Sequence, residues 1–510
     1  MLTRHLLSSI LATPLLGAGL LLLVGRSRAA AIRVIALASA LVSLALVVPF
    51  WMRYEPAGPP FQMREQLLLV RSLGSGYDVG ADGLTLLFVL LIGLVSLVAV
   101  LISWARIGDR QRSHYARLLI LQAAMTGVVL ALDAVLLCVC WLVMLTVAGA
   151  LQPVERAARW RLAAGALASA VMLLSGSLVM ALAARAATGV ASLDLTAWQQ
   201  LSLPVDQQAT PFVLLLTGLA GPWLLLVGRP SWPADPVRAE ALALIRLGVL
   251  VSLPIYGLLR LNLPMLPQAS RLFIPLLAGV GLGALWLAAV QVWRARDWVG
   301  VLSCAVMGQV GVMLLGLAVI DPTALAGTVI QPIALGLAVA PVLVWAGSRV
   351  ARPGPAGAPP LLVNATGVLL GMAIVGVPGL VAQAGSSAVV RGASHAHPLW
   401  ALAAGAGLLA LAVGTVGRLW RARRASGSLS AGEAAMLLAF AIGAVCAGVD
   451  PAPIRDRLRP TMARVITRLE PGYAPAFSHV PGCGSAGPAP AAPAGFTAIA
   501  PCDTAPSPPK

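Results

Sequence analysis

Apolar runs recur along almost the whole chain and are separated by short polar segments that carry most of the charges. Each run approaches the ~20 residues that an α-helix needs to cross roughly 30 Å of hydrocarbon. Their cores are rich in Leu, Ala, Val and Gly, which suits close helix packing in lipid, and nothing in the pattern favours interior β-structure. The pattern predicts an all-α, polytopic membrane bundle of about fourteen transmembrane helices, near residues 6–24, 33–51, 83–104, 116–132, 134–151, 162–184, 211–227, 240–259, 272–292, 298–319, 324–346, 361–382, 398–417 and 434–449.

The composition excludes a soluble protein. Hydrophobic residues make up 59% of the chain and charged residues only 10%, with a mean hydropathy of +0.90. So few charges cannot solvate the surface of a soluble chain of 510 residues. The sequence also contains no Walker-type loop and no dinucleotide fingerprint, which argues against ATP-driven transport by this chain alone.

The net charge of +17 does not indicate nucleic-acid binding, because the arginines are spread over alternate loops. By the positive-inside rule the arginine-rich loops are cytoplasmic, which places both termini on the outer side of the membrane. The arginines beyond the last apolar run oppose this assignment. The arginine-rich loops lie near 26–33, 106–117, 156–161, 229–238, 294–296, 349–352 and 418–424.

The chain divides into three parts by composition. An integral membrane domain covers 1–450, an amphipathic helical segment covers 451–471, and a Pro/Ala-rich tail over 472–510 is expected to be disordered. Two external loops, 52–82 and 185–210, are long.

Few residues are suited to metal binding or acid–base catalysis. The only lysine is the last residue, Lys510. The six cysteines are scattered, and those in apolar runs are expected to pack as small hydrophobic side chains. His395 and His397 have a spacing that suits a metal, but no partner ligands are evident, so no metal site and no catalytic residue are predicted.

Five motifs nevertheless occur in an order and spacing that resemble a known family. That family is the antiporter-like proton-translocating membrane subunits, and the closest resemblance is to subunit M, chain 4, of complex I, the NADH-quinone oxidoreductase. Each motif is weak alone, but the ordered set is specific and spans roughly residues 1–470. The motifs are Phe61–Glu65 with Gly76–Leu84, Ala131–Asp133 with Cys140–Leu145, Ile255–Arg260, Gln309–Gly311 with Leu314–Gly316, and Gly376–Gly379.

The resemblance implies two inverted five-helix repeats with broken helices, and a position beside other membrane subunits of a complex I-like assembly. NADH, FMN, iron–sulfur clusters and quinone are then expected in partner subunits, with none bound by this chain. The resemblance also implies the inner (plasma) membrane of a bacterium, where the chain contacts lipid. In the family, buried Glu and Lys side chains form a proton path at mid-membrane, where burial shifts their pKa values toward neutral pH.

The positions that match this proton path carry neutral residues here. The helix-five glutamate, directly after Trp141, is Leu142, and the helix-seven lysine falls on Ala220. The helix-eight lysine is Ser252, and the helix-twelve glutamate falls on Ser386. The resemblance therefore predicts the family's scaffold without most of its titratable row.

The remaining proton-path candidates are Asp133, Arg246, Ser252 and Gln309. Asp133 is either a helix cap or a proton-loading site. Arg246 is expected to extend to the cytoplasmic edge, since Arg stays protonated and is a poor proton relay. Ser252 and Gln309 can hold water or simply pack.

Three prolines, Pro222, Pro332 and Pro341, are the candidates for broken helices, with ordinary kinks as the alternative. Arg260, at the end of its apolar run, is expected to anchor at the membrane interface.

Three functions remain open: a subunit resembling the proton-translocating subunit M, a non-pumping structural subunit, or an antiporter-like subunit of another assembly. The third class includes cation/proton antiporters, membrane hydrogenases and inorganic-carbon uptake complexes.

Overall fold

The computed structural model describes residues 5–70, 73–107, 110–152, 155–226, 243–295, 298–351, 360–422 and 431–469. Lys510 and the tail predicted to be disordered, 472–510, lie outside the described residues.

Most of the described chain is helical, with one β-hairpin between the third and fourth helices. The strands are β1 (Gln62–Val70) and β2 (Ser75–Ala81). The helices are α1 (Leu6–Leu23), α2 (Ala29–Ala45), α3 (Val47–Arg53), α4 (Gly83–Arg106), α5 (Gln111–Leu130), α6 (Ala134–Leu151), α7 (Arg156–Thr188), α8 (Leu195–Trp198), α9 (Val205–Leu226), α10 (Ala243–Met265), α11 (Pro267–Leu272), α12 (Ile274–Gln291), α13 (Trp298–Val319), α14 (Pro322–Ala351), α15 (Pro360–Val375), α16 (Val381–Ala396), α17 (Pro398–Ala422), α18 (Ala431–Val449) and α19 (Ala452–Leu469).

The all-α membrane bundle predicted from the apolar runs is confirmed, whereas the count of fourteen spans stays a prediction. Within the described residues, ten spans are long and apolar enough to cross a membrane, or eleven if the bent pair α18–α19 counts as one. Helices α5, α9 and α15 coincide with three further predicted spans but are not among the ten. The chain is a multi-pass membrane protein.

The hairpin β1–β2 occupies the external loop predicted over 52–82, outside the membrane spans. The strands are antiparallel, with Leu67 opposite Tyr77 and Leu68 opposite Gly76. A Cβ at Gly76 would overlap the carbonyl oxygen of Leu67, so only glycine permits this close approach. We call the end of the bundle that carries the hairpin the hairpin end, and the opposite end the arginine end.

Two interruptions of regular helix lie at positions that the proline candidates did not mark. Inside α10 the backbone tightens to a 3₁₀ turn at Leu250–Ser252 and widens to a π-helix at Leu258–Asn262. Between α15 and α16 the chain turns at Gly376 and Gly379, whose φ angles are +78° and +87°. Such positive φ values favour glycine, and both glycines belong to the Gly376–Gly379 motif.

The proline candidates themselves lie within continuous helix. Pro332 and Pro341 are both inside α14, which is helical from end to end, and Pro222 lies in the last turns of α9. Their role in breaking helices stays a prediction.

Small residues bring neighbouring helices into close contact. A Cβ at Gly281 of α12 would lie 2.7 Å from the carbonyl oxygen of Gly311 in α13. Likewise, a Cβ at Gly327 of α14 would lie 2.6 Å from the carbonyl oxygen of Gly385 in α16. In lipid, where apolar side chains gain little by contacting each other, such backbone approach is a main source of helix association.

The C-terminal helix α19 packs across the hairpin end. Its buried side chains are Leu458, Thr461, Met462, Val465, Ile466 and Leu469. Near its start, the guanidinium of Arg457 stacks on the Trp51 ring at 3.9 Å, and at its end Arg271 donates to the carbonyl of Leu469. Contacts at both ends therefore fix this helix on the bundle.

Candidate functional site

The positions that match the family's proton path lie on four helices of the bundle. Leu142 in α6 and Ala220 in α9 are half-buried, while Ser252 in the 3₁₀ turn of α10 and Ser386 in α16 are buried. Helices α6 and α9 both pack against α7. None of the four side chains titrates near neutral pH, so this row cannot exchange protons as Glu and Lys do.

A neutral hydrogen-bond chain crosses the three helices beside Leu142 and Ala220. The indole nitrogen of Trp141 in α6 donates to the Ser169 hydroxyl of α7 at 2.9 Å. That hydroxyl donates to the carbonyl oxygen of Gly218 in α9 at 2.6 Å. The three helices are therefore joined by neutral polar groups next to the positions where the resemblance would place a charge pair.

A second indole joins α9 to the 3₁₀ turn of α10. Trp223 donates to the carbonyl oxygen of Val251 at 2.7 Å. The neighbouring Ser252 is fully buried, and its hydroxyl has no hydrogen-bond partner within the described residues. Ser252 is thus a buried polar group at an irregular point of the helix, and whether it holds water or simply packs stays a prediction.

The C-terminal half contains a similar neutral arrangement. Gln331 of α14 donates to the carbonyl oxygen of Ala382 in α16 at 3.2 Å, and the Ser386 hydroxyl donates to the same oxygen at 2.6 Å. Gln309 of α13 is fully buried, and its amide oxygen and nitrogen lack partners within the described part of the chain.

Arg246 and Asp133 lie toward opposite ends of the bundle. Arg246 is half-buried one turn from the start of α10, at the arginine end. Asp133 lies at the hairpin end, where its carboxylate accepts the backbone N–H of Leu136 at 2.9 Å and that of Gly76 at 3.2 Å. Asp133 therefore caps α6 and holds strand β2 against it; its alternative role as a proton-loading site stays a prediction.

The structure reveals a buried ion pair that sequence reasoning missed. Arg260, at the π-helical end of α10, donates from Nη1 to Oδ2 of Asp82 at 2.7 Å. Both side chains are almost fully buried, with 6% and 2% of their surfaces exposed. The expectation that Arg260 anchors at the membrane interface stays a prediction; in the structure its guanidinium points into the protein and lies 4.4 Å from the ring centre of Phe61.

Asp82 is held from both sides of its carboxylate. Its other oxygen, Oδ1, accepts the backbone N–H and the hydroxyl of Thr85, each at 2.9 Å, so Asp82 also caps α4. Burial alone would raise the pKa of Asp82, but the charge of Arg260 and the hydrogen bonds from Thr85 outweigh it and leave the pKa below its ordinary value. Asp82 is therefore a carboxylate at neutral pH. Both partners lie in motifs that the sequence singled out, which was the only signal available for the pair.

Charged groups also fasten the hairpin. Arg64 of β1 donates to Asp78 of β2 and to Asp194, and the hydrogen bonds to Asp78 raise its pKa above the ordinary arginine value. Glu65 accepts the backbone N–H of Leu7 at 2.8 Å and so caps the start of α1. These contacts join β1 and β2 to α1 and to the segment that precedes α8.

Within the described residues no three His, Cys, Asp or Glu side chains lie together as a metal site. The structure thus places acidic and basic groups at the hairpin end, and uncharged side chains, two apolar and two serines, at the four positions of the predicted path.

Comparison with known proteins is consistent with this geometry. No protein-family model matches the chain. NAD(P)H-quinone oxidoreductase chain 4 proteins of Picosynechococcus sp. and Microcystis aeruginosa are each 28% identical to it over 350 residues. Those residues are 67% of this chain and 62% of each relative, so the chain matches less than two thirds of their length.

Solved structures share the fold over nearly the whole chain. A chain of respiratory complex I from Thermus thermophilus with bound NADH has a TM-score of 0.76 at 21% identity, covering 91% of this chain and 99% of that one. The chain has the fold of the antiporter-like membrane subunits. A chain of the Mrp complex from Dietzia sp. has the same fold, with a TM-score of 0.70 at 19% identity, covering 92% of this chain and 54% of that one. The resemblance that the five motifs indicated is confirmed, and this antiporter-like chain is a homologue of quinone oxidoreductase chain 4.

Proposed function

We propose that this chain is a membrane-arm subunit of a complex I-type NADH-quinone oxidoreductase that adds little or no coupled proton pumping. The observation that carries the assignment to this assembly is the similarity to chain 4 proteins over 350 residues. In this proposal the subunit supplies an antiporter-like scaffold to the membrane arm, and its chemistry is limited by the neutral residues at the four path positions.

The loss of pumping follows from the chemistry of those positions. Coupled movement of a proton needs groups that change charge and then influence each other, and buried Glu–Lys pairs provide both properties. Leu142 and Ala220 supply neither. Water held near Ser252 could pass a proton, but it offers no charge pair whose separation couples proton movement to a driving reaction.

The proposal also assigns partners and location. Electrons would pass from NADH through FMN and iron–sulfur clusters to quinone in partner subunits, while this chain contacts other membrane subunits and lipid. The membrane would be the plasma membrane of a bacterium. By the positive-inside rule the arginine end would face the cytoplasm, and both termini would then face the periplasm.

A subunit of another assembly is the alternative, since a chain of the Mrp complex and a chain of a membrane-bound sulfane sulfur reductase share this fold. Purification in mild detergent with identification of the co-purifying chains separates these hosts. A lone monomer that transports an ion by itself would exclude all of them.

The test of pumping is the proton yield per electron pair of the reconstituted assembly. We expect Ser252→Leu, which fills the irregular turn of α10, to leave the yield equal to that of Ser96→Leu. Ser96 is a matched control, because it is a buried serine in α4 whose hydroxyl also lacks a partner within the described residues. A clear loss of yield with Ser252→Leu but not with Ser96→Leu would show that the native chain pumps.

A further inference from the structure

A cavity of about 520 Å³ lies at the hairpin end between the segment before β1, the π-helical end of α10 and the C-terminal helix α19. Its volume falls within the roughly 300–1,000 Å³ of small-molecule sites. Its lining contains four arginines and one aspartate, namely Arg64, Arg260, Arg464, Arg468 and Asp82. The cavity is therefore large enough for a small ligand and is cationic.

Two of the four arginines are neutralised within the protein. Arg64 is paired with Asp78 and Asp194, and Arg260 is paired with Asp82. Arg64 and Arg260 therefore add no net positive charge to the cavity.

Arg464 and Arg468, both in α19, supply the remaining positive charge of the cavity. Neither has an ion-pair partner in the described ranges. Arg464 is half-buried and is oriented by hydrogen bonds to the carbonyl oxygen of Pro460 at 3.1 Å and to the hydroxyl of Thr461 at 3.3 Å. The Asp82 carboxylate attracts Arg464 as well as Arg260, so two guanidinium groups share one negative charge, and an anion in the cavity would supply a second.

Two donors of Arg260 have no acceptor among the described residues. Only its Nη1 bonds to Asp82, whereas Nε and Nη2 are buried without a partner within the described residues. Threonine hydroxyls and glutamine amides also line the cavity, namely Thr196, Gln199, Gln200, Thr461 and Thr467. Several guanidinium and hydroxyl donors around one space suit a phosphate group, which has more acceptor oxygens than a carboxylate.

The position of the cavity agrees with this chemistry. Its wall includes Leu84, at the start of one membrane span, and Pro264, at the end of another. The amphipathic helix α19, which covers it, is of a type that lies at the boundary between headgroups and hydrocarbon. The cavity is therefore at the level where lipid phosphates are found.

We propose that this cavity binds the phosphate group of an anion, with Arg464 and Arg468 as its main charge partners and Arg260 at its base. The phosphate can belong to an anionic lipid headgroup or to a free phosphate ion. Binding would hold α19 to the bundle, because the ligand would connect that helix to α10. This proposal does not depend on the host assembly or on proton movement.

The test is the unfolding temperature of the full-length chain in a phosphate-free detergent, titrated with dioctanoyl phosphatidylglycerol or with inorganic phosphate. Dioctanoylglycerol, which has the same chains without phosphate, is the ligand control, and chloride at equal ionic strength controls for screening. We expect a saturable rise in unfolding temperature with at least one phosphate probe and none with the controls. A rise with phosphatidylglycerol alone assigns the site to a lipid headgroup, and a rise with inorganic phosphate alone assigns it to the free ion.

Two double variants of α19 test whether the phosphate probe binds in this cavity. Arg464→Gln/Arg468→Gln should weaken apparent affinity by about tenfold or more, since two charge-assisted contacts are lost. Arg455→Gln/Arg459→Gln removes the same charge from exposed positions of α19 outside the cavity and should leave affinity unchanged. Arg468 and Arg455 are both exposed, so the apparent affinities of the single variants Arg468→Gln and Arg455→Gln give the same comparison with one charge removed from each. Absence of a saturable rise with either probe, or an equal loss in both double variants, would overturn the proposal.

Discussion

At the residue scale, the chain places its buried charge where it can be neutralised. Asp82 and Arg260 are far apart in sequence, and each would be costly to bury alone. Together they form a short ion pair, and Thr85 satisfies the remaining carboxylate oxygen. The pair joins the start of α4 to the irregular end of α10, so it contributes to the geometry of the hairpin end.

Removing one partner of this pair should destabilise the chain strongly. Asp82→Asn or Arg260→Gln leaves the other charge buried and unpaired, which costs about 3–5 kcal/mol. The double variant should lose much less than the sum of the two. The measurement is a double-mutant cycle on unfolding temperature in mild detergent, with Arg459→Gln, part of the exposed Arg459–Asp456 pair, as a control with little effect. Additive losses would contradict the coupling.

The same pair predicts a pH dependence. Because the pKa of Asp82 is lowered in the folded chain, its contribution to stability is complete above the ordinary carboxyl pKa. That contribution is lost as pH falls through the lower, folded value. Unfolding measured at decreasing pH should therefore show a loss in the native chain that is smaller in Asp82→Asn.

At the scale of helices, neutral hydrogen bonds join α6, α7 and α9. Ser169 accepts from Trp141 of α6 and donates to Gly218 of α9, so one hydroxyl on α7 connects both neighbours. Regular helix is also interrupted by the 3₁₀ turn and the π-helix inside α10, and by the glycine turn between α15 and α16. The bundle thus contains a distorted helix, α10, although the matched path positions are uncharged.

The Ser169 connection can be tested by removing it. Ser169→Ala leaves the buried indole N–H of Trp141 without its acceptor, which should lower stability by about 1–3 kcal/mol. Ser169→Thr is the conservative control, because it keeps the hydroxyl. Adding Trp141→Phe to Ser169→Ala removes the orphaned donor and should cost less than additivity predicts. If Ser169→Ala were neutral in thermal unfolding, the hydrogen-bond chain would not stabilise the contact.

At the scale of the whole molecule, fold and chemistry are separable. The backbone matches a chain of respiratory complex I over 91% of its length, and the four positions that the motif resemblance assigns to a proton path hold neutral side chains. Helix association in lipid depends on small residues and shape, so a bundle can retain its fold after its charges are lost.

Restoring coupling should require two charges together. Leu142→Glu and Ala220→Lys lie beside the two ends of the Trp141–Ser169–Gly218 chain, and either charge alone would be buried without a partner. We expect each single variant to lower the amount of assembled subunit and the double variant to recover part of it. Assembly is measured by co-purification, and the proton yield per electron pair reports whether coupling returns. Equal abundance of single and double variants would show that the two positions do not interact.

The sequence alone determined the class of fold, because a membrane span must satisfy its backbone internally and so leaves a long apolar run as its signature. Through the motif resemblance it also predicted which positions correspond to a proton path, and residue identity shows that those positions are uncharged. The tertiary structure alone decided that Asp82 meets Arg260, and that a cationic cavity lies under α19. These features depend on contacts between segments far apart in the chain, and periodicity and composition carry no information about such contacts. The hairpin at Gln62–Val70 and Ser75–Ala81 was missed for a related reason: its strands are stabilised by Arg64, Glu65 and their distant partners rather than by an alternating apolar pattern.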